Sequence, residues 1–70
     1  MKISYKKLWV MLIEREIPKL SLRKDIELSP GTMSKLNKNE DVALSVLLRI
    51  CDYLNCAIGD ICEAVRTGKQ

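Results

Sequence analysis

A helix-start signal in the middle of the chain, Ser29-Pro30-Gly31-Thr32, constrains the fold most strongly. A serine oxygen can accept the free amides at a helix N-terminus, and proline suits the first helical turn because its φ is already helical. Just before this signal, Leu22 and Ile26 lie four residues apart, which is the spacing of one helix face. The pattern therefore predicts two short helices joined by only about three residues, Glu27 to Ser29.

Two helices with so short a connection cannot lie flat and antiparallel, so we expect them to cross steeply with Leu28 filling the corner. That geometry is a helix-turn-helix, predicted over about residues 21–37. Ser21 is the expected cap of its first helix. In the second helix Met33 and Leu36 face inward, because they are three residues apart, and the opposite side is small and polar.

Apolar periodicity predicts three further helices, five in all. Helix 1 spans Ser4 to Glu16 and ends before Pro18, and its inward positions are Tyr5, Leu8, Trp9, Leu12 and Ile13. Helix 4 is expected to be the most buried, through Leu44, Leu47, Leu48, Cys51 and Leu54, with Val46, Ile50 and Tyr53 widening its apolar surface.

The carboxyl-terminal segment predicts a short fifth helix that Gly68 ends, and its apolar positions are Ile58, Ile61, Cys62 and Val65. No stretch alternates apolar and polar residues over four or more positions, so no strand is expected. Seventy residues support only one core. The sequence thus predicts one all-α domain of five short helices over residues 1–70.

The charges are segregated along the chain. Residues 19–39 carry a net charge of +3, whereas residues 40–63 carry −4. Such an arrangement favours one face turned toward a polyanion and another turned away from it. The chain has three cysteines, Cys51, Cys56 and Cys62. Because an odd number cannot all pair within one chain, reduced cysteines in the cytoplasm are expected and not a disulfide framework.

Several classes of function are disfavoured by the residues present. The chain has no histidine and no Cys-x-x-Cys pair, so neither a zinc site nor another metal is expected. It also lacks a glycine-rich phosphate loop and a nucleophile beside a plausible base, so we expect no enzyme and no cofactor. The apolar run Leu8 to Ile13 is too short for a membrane span. Only five residues follow Val65, so no domain that senses a small-molecule ligand is expected.

The stretch LRKDIELSPGTMSKLNKNEDVALSVLLRICDYLNCAIGDI resembles the Cro and lambda-repressor-like helix-turn-helix regulators, the xenobiotic-response-element (XRE) family. The resemblance covers about residues 3–64. It rests on the order and spacing of Leu22–Lys24, Leu28–Leu36, Leu47–Cys51 and Ile58–Ile61. It implies a lambda-repressor-like fold and a transcriptional regulator, expected to be a repressor, that binds double-stranded DNA with helix 3 in the major groove.

The resemblance also implies site residues. Base-reading positions fall on Pro30, Gly31, Thr32, Ser34 and Lys35; from the residues alone, Thr32 and Ser34 offer hydroxyls and Lys35 a cation for guanine. Phosphate contacts are assigned to Lys19, Arg23, Ser29, Asn37, Lys38 and Asn39. One small DNA-binding domain makes few contacts with DNA, so a homodimer on a two-fold operator is expected. Its interface is expected on helix 5 and the outer face of helix 4, formed by Ile50, Tyr53, Ile58 and Val65.

Four positions depart from the family pattern. Glu27 stands where a glycine is usual in the turn, and a left-handed conformation there costs about 1–2 kcal/mol. Arg23 stands where helix 2 usually has a small residue, so the helices are spread or Arg23 points outward. Pro30 and Gly31 replace readers such as glutamine, which shifts specificity toward Ser34, Lys35 and DNA shape. The alternative function is a protein-interaction module or antitoxin of the same fold.

Overall fold

The structure is a computed structural model that describes residues 1–66. Four α-helices follow a short amino-terminal strand: β1 Lys2–Ser4, α1 Lys6–Glu14, α2 Lys19–Asp25, α3 Pro30–Asn37 and α4 Leu44–Leu54. One 3-10 turn, Ile58–Asp60, and a second strand, β2 Glu63–Val65, complete the described part. No helix within residues 1–66 is long and apolar enough to cross a membrane.

The helix-turn-helix prediction is confirmed by α2 and α3. The caps are as expected for α3, where Ser29 Oγ accepts the Thr32 amide at 3.1 Å and Pro30 occupies the first turn. They differ for α2, which begins at Lys19 behind Pro18 and not at a Ser21 cap. Proline preorganises that start, because its fixed φ suits the entry into a helix. Helix α1 is also shorter at both ends than predicted.

The prediction of a fifth helix and of no strand was wrong for the described residues. The Asp60 carboxylate accepts the Ala57 amide at 3.0 Å, which closes a single 3-10 turn. The chain then extends, and β2 pairs antiparallel with β1 in the register Lys2–Val65, Ile3–Ala64 and Ser4–Glu63. Two strands of three residues are too short for an alternating pattern, and they pair across nearly the whole chain. Gly68, the predicted end of helix 5, lies outside the described residues.

The core is one cluster that draws on every helix. Its buried members are Tyr5, Leu8, Leu12, Leu22, Leu28, Met33, Leu36, Leu47, Ile50, Cys51, Leu54 and Ile61. Three predicted core residues were wrong, since Ile13, Leu44 and Leu48 are 76%, 61% and 54% exposed. Ile50 is fully buried instead, so it cannot contribute to the predicted dimer surface. Helix α4 is therefore rotated toward Ile50, and its Leu44–Leu48 side faces solvent.

Each of the four helices ends at a left-handed residue that is not glycine. Positive φ values occur at Glu16, Glu27, Asn39 and Asn55, between 54° and 58°. After α1, the Ile17 amide donates to the Leu12 carbonyl at 2.8 Å, five residues back. The same five-residue hydrogen bond follows α2, α3 and α4. This pattern is the Schellman motif, which satisfies the last carbonyls and turns the chain sharply.

Candidate nucleic-acid interface

The corner between α2 and α3 fixes the direction of α3. Glu27 is left-handed at φ 57°, as the steep turn requires. The next residue, Leu28, is buried with 6% of its surface exposed, and its amide donates to the Arg23 carbonyl at 2.9 Å. The Arg49 guanidinium of α4 donates to the Ile26 carbonyl. Two contacts therefore hold the turn: Leu28 packs in the core, and the Arg49 side chain of α4 forms a hydrogen bond to the turn backbone.

Helix α3 presents its predicted reading side to solvent. Met33 and Leu36 are buried, which fixes the rotation of the helix about its axis. Pro30, Gly31 and Lys35 are exposed, and Thr32 and Ser34 are half-buried. All five predicted base-reading positions therefore lie at the surface of one short helix.

The amino-terminal turn of α3 is small and carries a hydroxyl pair. The Ser29 hydroxyl donates to Thr32 Oγ1 at 2.9 Å, so the Thr32 hydroxyl hydrogen is left to donate outward. A Cβ added at Gly31 would meet nothing within 4 Å. Packing inside the protein therefore does not require glycine at this position, and the absent side chain opens space on the outer side of α3.

Five of the six predicted phosphate-contacting residues lie at the two ends of α3, and the sixth, Arg23, lies within α2. Lys19, at the start of α2, donates from Nζ to Asn37 Oδ1 at 3.0 Å, across eighteen residues. The same ammonium lies 4.0 Å from the centre of the Trp9 ring, a cation–π contact. Lys38 is exposed and Arg23 is half-buried. Ser29 is the cap already described, at the opposite end of the helix.

Asn39 stabilises the fold through a contact with the start of α1, which was not predicted from the sequence. Its side-chain oxygen accepts the Tyr5 amide at 3.0 Å, and the Tyr5 hydroxyl donates to the Glu40 carbonyl at 2.8 Å. Burial, followed by the charge of Cys62, raises the pKa of Tyr5 above its ordinary value of 10.0. These contacts join the start of α1 to the end of α3 over 34 and 35 residues. No local spacing signals such a contact.

Asp25, at the carboxyl-terminal end of α2, is in contact with α4. The Tyr53 hydroxyl donates to Asp25 Oδ2, a hydrogen bond that raises the pKa of Tyr53. Within residues 1–66 the one ion pair shorter than 4.0 Å joins Lys7 to Glu63 at 3.6 Å. The cations of α2 and α3 thus form no ion pair in that part of the chain, which leaves their charge available to an external anion. No group of three metal-ligating side chains occurs among these residues either.

This arrangement defines a helix-turn-helix domain with a polar, cationic second helix at its surface. Over residues 7–66 the sequence matches the family model of the Cro/C1-type HTH DNA-binding domain, and the chain belongs to that family. The chain is also similar to the crystal structure of the transcriptional regulator VanUg, form II, with 52% identity and a TM-score of 0.92. That match covers 94% of this chain and 88% of the other. No curated protein sequence is significantly similar to this chain.

Proposed function

We propose that this protein is a transcriptional regulator that binds double-stranded DNA sequence-specifically by placing α3 in the major groove, and that it acts as a repressor. The observation that carries the proposal is the outward side of α3. There the predicted base-reading positions are solvent-accessible, and the cations beside them form no ion pair with any of residues 1–66. Membership of the Cro/C1-type family and similarity to the transcriptional regulator VanUg support it.

The contacts divide by chemistry. Lys35 would donate to guanine O6 or N7, and the hydroxyls of Thr32 and Ser34 would read neighbouring base edges. Lys19, Arg23 and the Asn37–Asn39 segment would hold the DNA backbone through their side chains. Ser29 would do so through its backbone amide, because its hydroxyl hydrogen goes to Thr32. Lys19 is already oriented by Asn37 and Trp9, so little side-chain freedom is lost when it meets a phosphate.

Occupancy of a unique site requires more contacts than one short helix makes, so the proposed working form is a homodimer on a two-fold operator in the cytoplasm. Repression would follow from occupancy of a promoter, set by protein concentration or by a partner. No small-molecule ligand, cofactor or catalytic step enters this mechanism.

Lysine replacements test the division into reading and backbone contacts. Lys38→Ala should weaken binding to all duplexes alike and reduce the slope of log K against log salt by about 1, because one phosphate contact is lost. Lys35→Ala should in addition change the preferred base, at a cost of about 1–3 kcal/mol for the best site. Selection from a random duplex pool, followed by titrations at several salt concentrations, measures both effects.

Lys7→Ala is the matched control, because that ammonium bonds to the Gly59 carbonyl and pairs with Glu63 on the flank of α1 away from Trp9. It should leave the affinity for DNA unchanged. Equal effects of Lys7→Ala and Lys35→Ala would mean that only net charge matters. If duplex DNA is not bound in dilute salt at all, the protein-interaction or antitoxin function replaces the proposal.

Gly31→Leu separates groove contact from folding. Nothing within the protein opposes a side chain at Gly31, and leucine favours a helix, so the variant should unfold at the same temperature as the parent protein or higher. Its bulk should nevertheless block close approach of the duplex and abolish specific binding. A Gly31→Leu protein that selects the same operator with the same affinity would exclude this side of α3 as the reading surface.

A further inference from the structure

The outer face of α1 carries a self-complementary pattern. Lys6, Val10 and Glu14 are spaced four residues apart, so they form one stripe along the helix, and Ile13 lies beside it. Val10 is 43% exposed and Ile13 is 76% exposed, while Lys6 and Glu14 are exposed at the two ends. The stripe is therefore basic at its start, apolar in the middle and acidic at its end.

The charges on this stripe oppose the dipole of their own helix. The first turn of α1 contains Lys6 and Lys7 and no acidic residue, and its last turn contains Glu14 and no basic residue. A helix N-terminus favours negative charge and a C-terminus favours positive charge, so α1 has the reverse of the stabilising order. Neither Lys6 nor Glu14 forms an ion pair within residues 1–66. Lys7 is offset by its pair with Glu63, and Arg15 follows the last turn, so Lys6 and Glu14 are the two charges of α1 without a partner in the described monomer.

We propose that this stripe binds the same stripe of a second copy of the chain, with the two α1 helices antiparallel about a two-fold axis at Val10. Val10 is the midpoint of α1, which runs from Lys6 to Glu14. In an antiparallel pair centred there, Lys6 lies opposite Glu14 of the second copy and Val10 meets its own counterpart. The two ion pairs and the two opposed dipoles are then all attractive.

Val10 and Ile13 supply the apolar contact. A two-fold axis at Val10 places Ile13 of both copies on the same side of the paired helices, so each Ile13 packs beside Val10 of the second copy, as an isologous interface requires. One short helix from each partner buries little surface, so the dimer is expected to be weak and to depend on concentration and salt.

This surface deepens the homodimer of the proposed function, since it places the interface on α1 in place of the one predicted on α4 and the carboxyl-terminal segment. Its test needs no DNA, so the two can fail separately. The full chain is examined by sedimentation velocity over a range of concentrations, with reducing agent present. Lys6→Glu and Glu14→Lys should each weaken dimerisation by about tenfold, because each turns two attractive pairs into two repulsive ones. The double variant Lys6→Glu/Glu14→Lys should restore the dimer.

Folding does not obscure this test, because both single replacements bring α1 into line with its dipole and should raise, not lower, the unfolding temperature. Val10→Lys places two cations on the axis and should leave only monomer. Leu48→Lys is the matched control, since Leu48 is 54% exposed on α4 and lies outside the stripe, and it should dimerise like the parent. A parent chain that stays monomeric, single variants without effect, or loss of the dimer only in Leu48→Lys would each overturn the proposal.

Discussion

Four residues with left-handed backbone conformation set the ends of the helices, and none of them is glycine. Glu16 and Glu27 have the less favourable side chains, because asparagine tolerates this region better than glutamate. The strain at Glu27 is of particular interest, since this residue starts the corner that directs α3. The resemblance to the Cro and lambda-repressor-like regulators left open whether Glu27 is left-handed, and its φ of 57° shows that it is.

Replacing Glu27 with glycine should stabilise the protein by roughly 0.5–1 kcal/mol, because relief of the left-handed strain exceeds the added freedom of the unfolded chain. Urea unfolding monitored by circular dichroism measures the difference. Glu27→Ala is the control that removes the same charge but keeps a Cβ at φ 57°. A gain in Glu27→Ala equal to that in Glu27→Gly would show that charge, not backbone strain, is responsible.

Which apolar residues are buried was only partly predictable. Leu8, Leu22 and Leu36 follow from helical spacing, because short amphipathic helices have one inward side. Helix α4 has too many apolar positions for spacing to choose among them, and the contacts with neighbouring helices select Ile50 over Leu48. The Ile13 prediction failed for the same reason at the end of α1.

At the scale of secondary structure, α3 depends on its cap more than the longer helices do. It has only eight residues, and short helices gain little from internal hydrogen bonds. Ser29 satisfies the Thr32 amide and also orients the Thr32 hydroxyl. One side chain therefore serves both the stability of α3 and the donor that the proposed reading surface presents.

Ser29→Ala should cost about 0.5–2 kcal/mol of folding free energy, the usual value for loss of an N-cap. It should also weaken specific DNA binding, because the Thr32 hydroxyl loses its partner. Thermal unfolding and a binding titration with the selected operator report the two effects. Ser45→Ala, at an exposed position in α4, is the comparison and should change neither quantity by a measurable amount.

The helix-turn-helix was predictable because its signals are local: a cap, a proline and a short connection. The strands were not, since β1 pairs with β2 through residues about sixty positions apart and each strand has three residues. The single turn at Ile58–Asp60 could not be predicted from local spacing either. Its apolar spacing fits a helix, yet the pairing of the next residues with β1 requires extended chain.

For the whole molecule, we expect the free energy of unfolding to decrease at alkaline pH. Burial raises the pKa of the Cys56 and Cys62 thiols above 9.0 and that of Tyr5 above 10.0. A folded pKa above the unfolded value stabilises the protein below the unfolded pKa, and the contribution is lost as pH rises through the folded pKa. Stability should therefore be insensitive to these three groups below about pH 9 and decrease progressively above it.

Urea unfolding at several pH values, in the presence of reducing agent, measures this decline. Tyr5→Phe should be less stable at neutral pH, because the Glu40 carbonyl loses its donor, but should show a smaller loss above pH 10. A parent protein as stable in strong alkali as at neutral pH would contradict the assignment, as would a Tyr5→Phe variant with an unchanged alkaline decline.

Part of the candidate site could be predicted from the sequence, and part of it depends on contacts that only the fold creates. The residues of α3 could be assigned to reading positions from the motif, since their side of the helix follows from Met33 and Leu36. The contacts of Asn39 with Tyr5 and of Lys19 with Asn37 join distant parts of the chain, so no spacing rule reveals them. Asn39 Oδ1 accepts the Tyr5 amide, so its side-chain NH₂ group is the donor it would offer to a phosphate.

The ammonium of Lys19 beside the Trp9 ring has an optical consequence. Trp9 is the sole tryptophan of the chain, so its emission depends on one local electric field. A phosphate that binds Lys19 adds a negative charge near the indole, which changes that field and with it the emission wavelength and intensity. The protein thus contains its own fluorophore at the edge of the proposed interface, and binding of DNA there should be measurable in solution without a dye on either molecule.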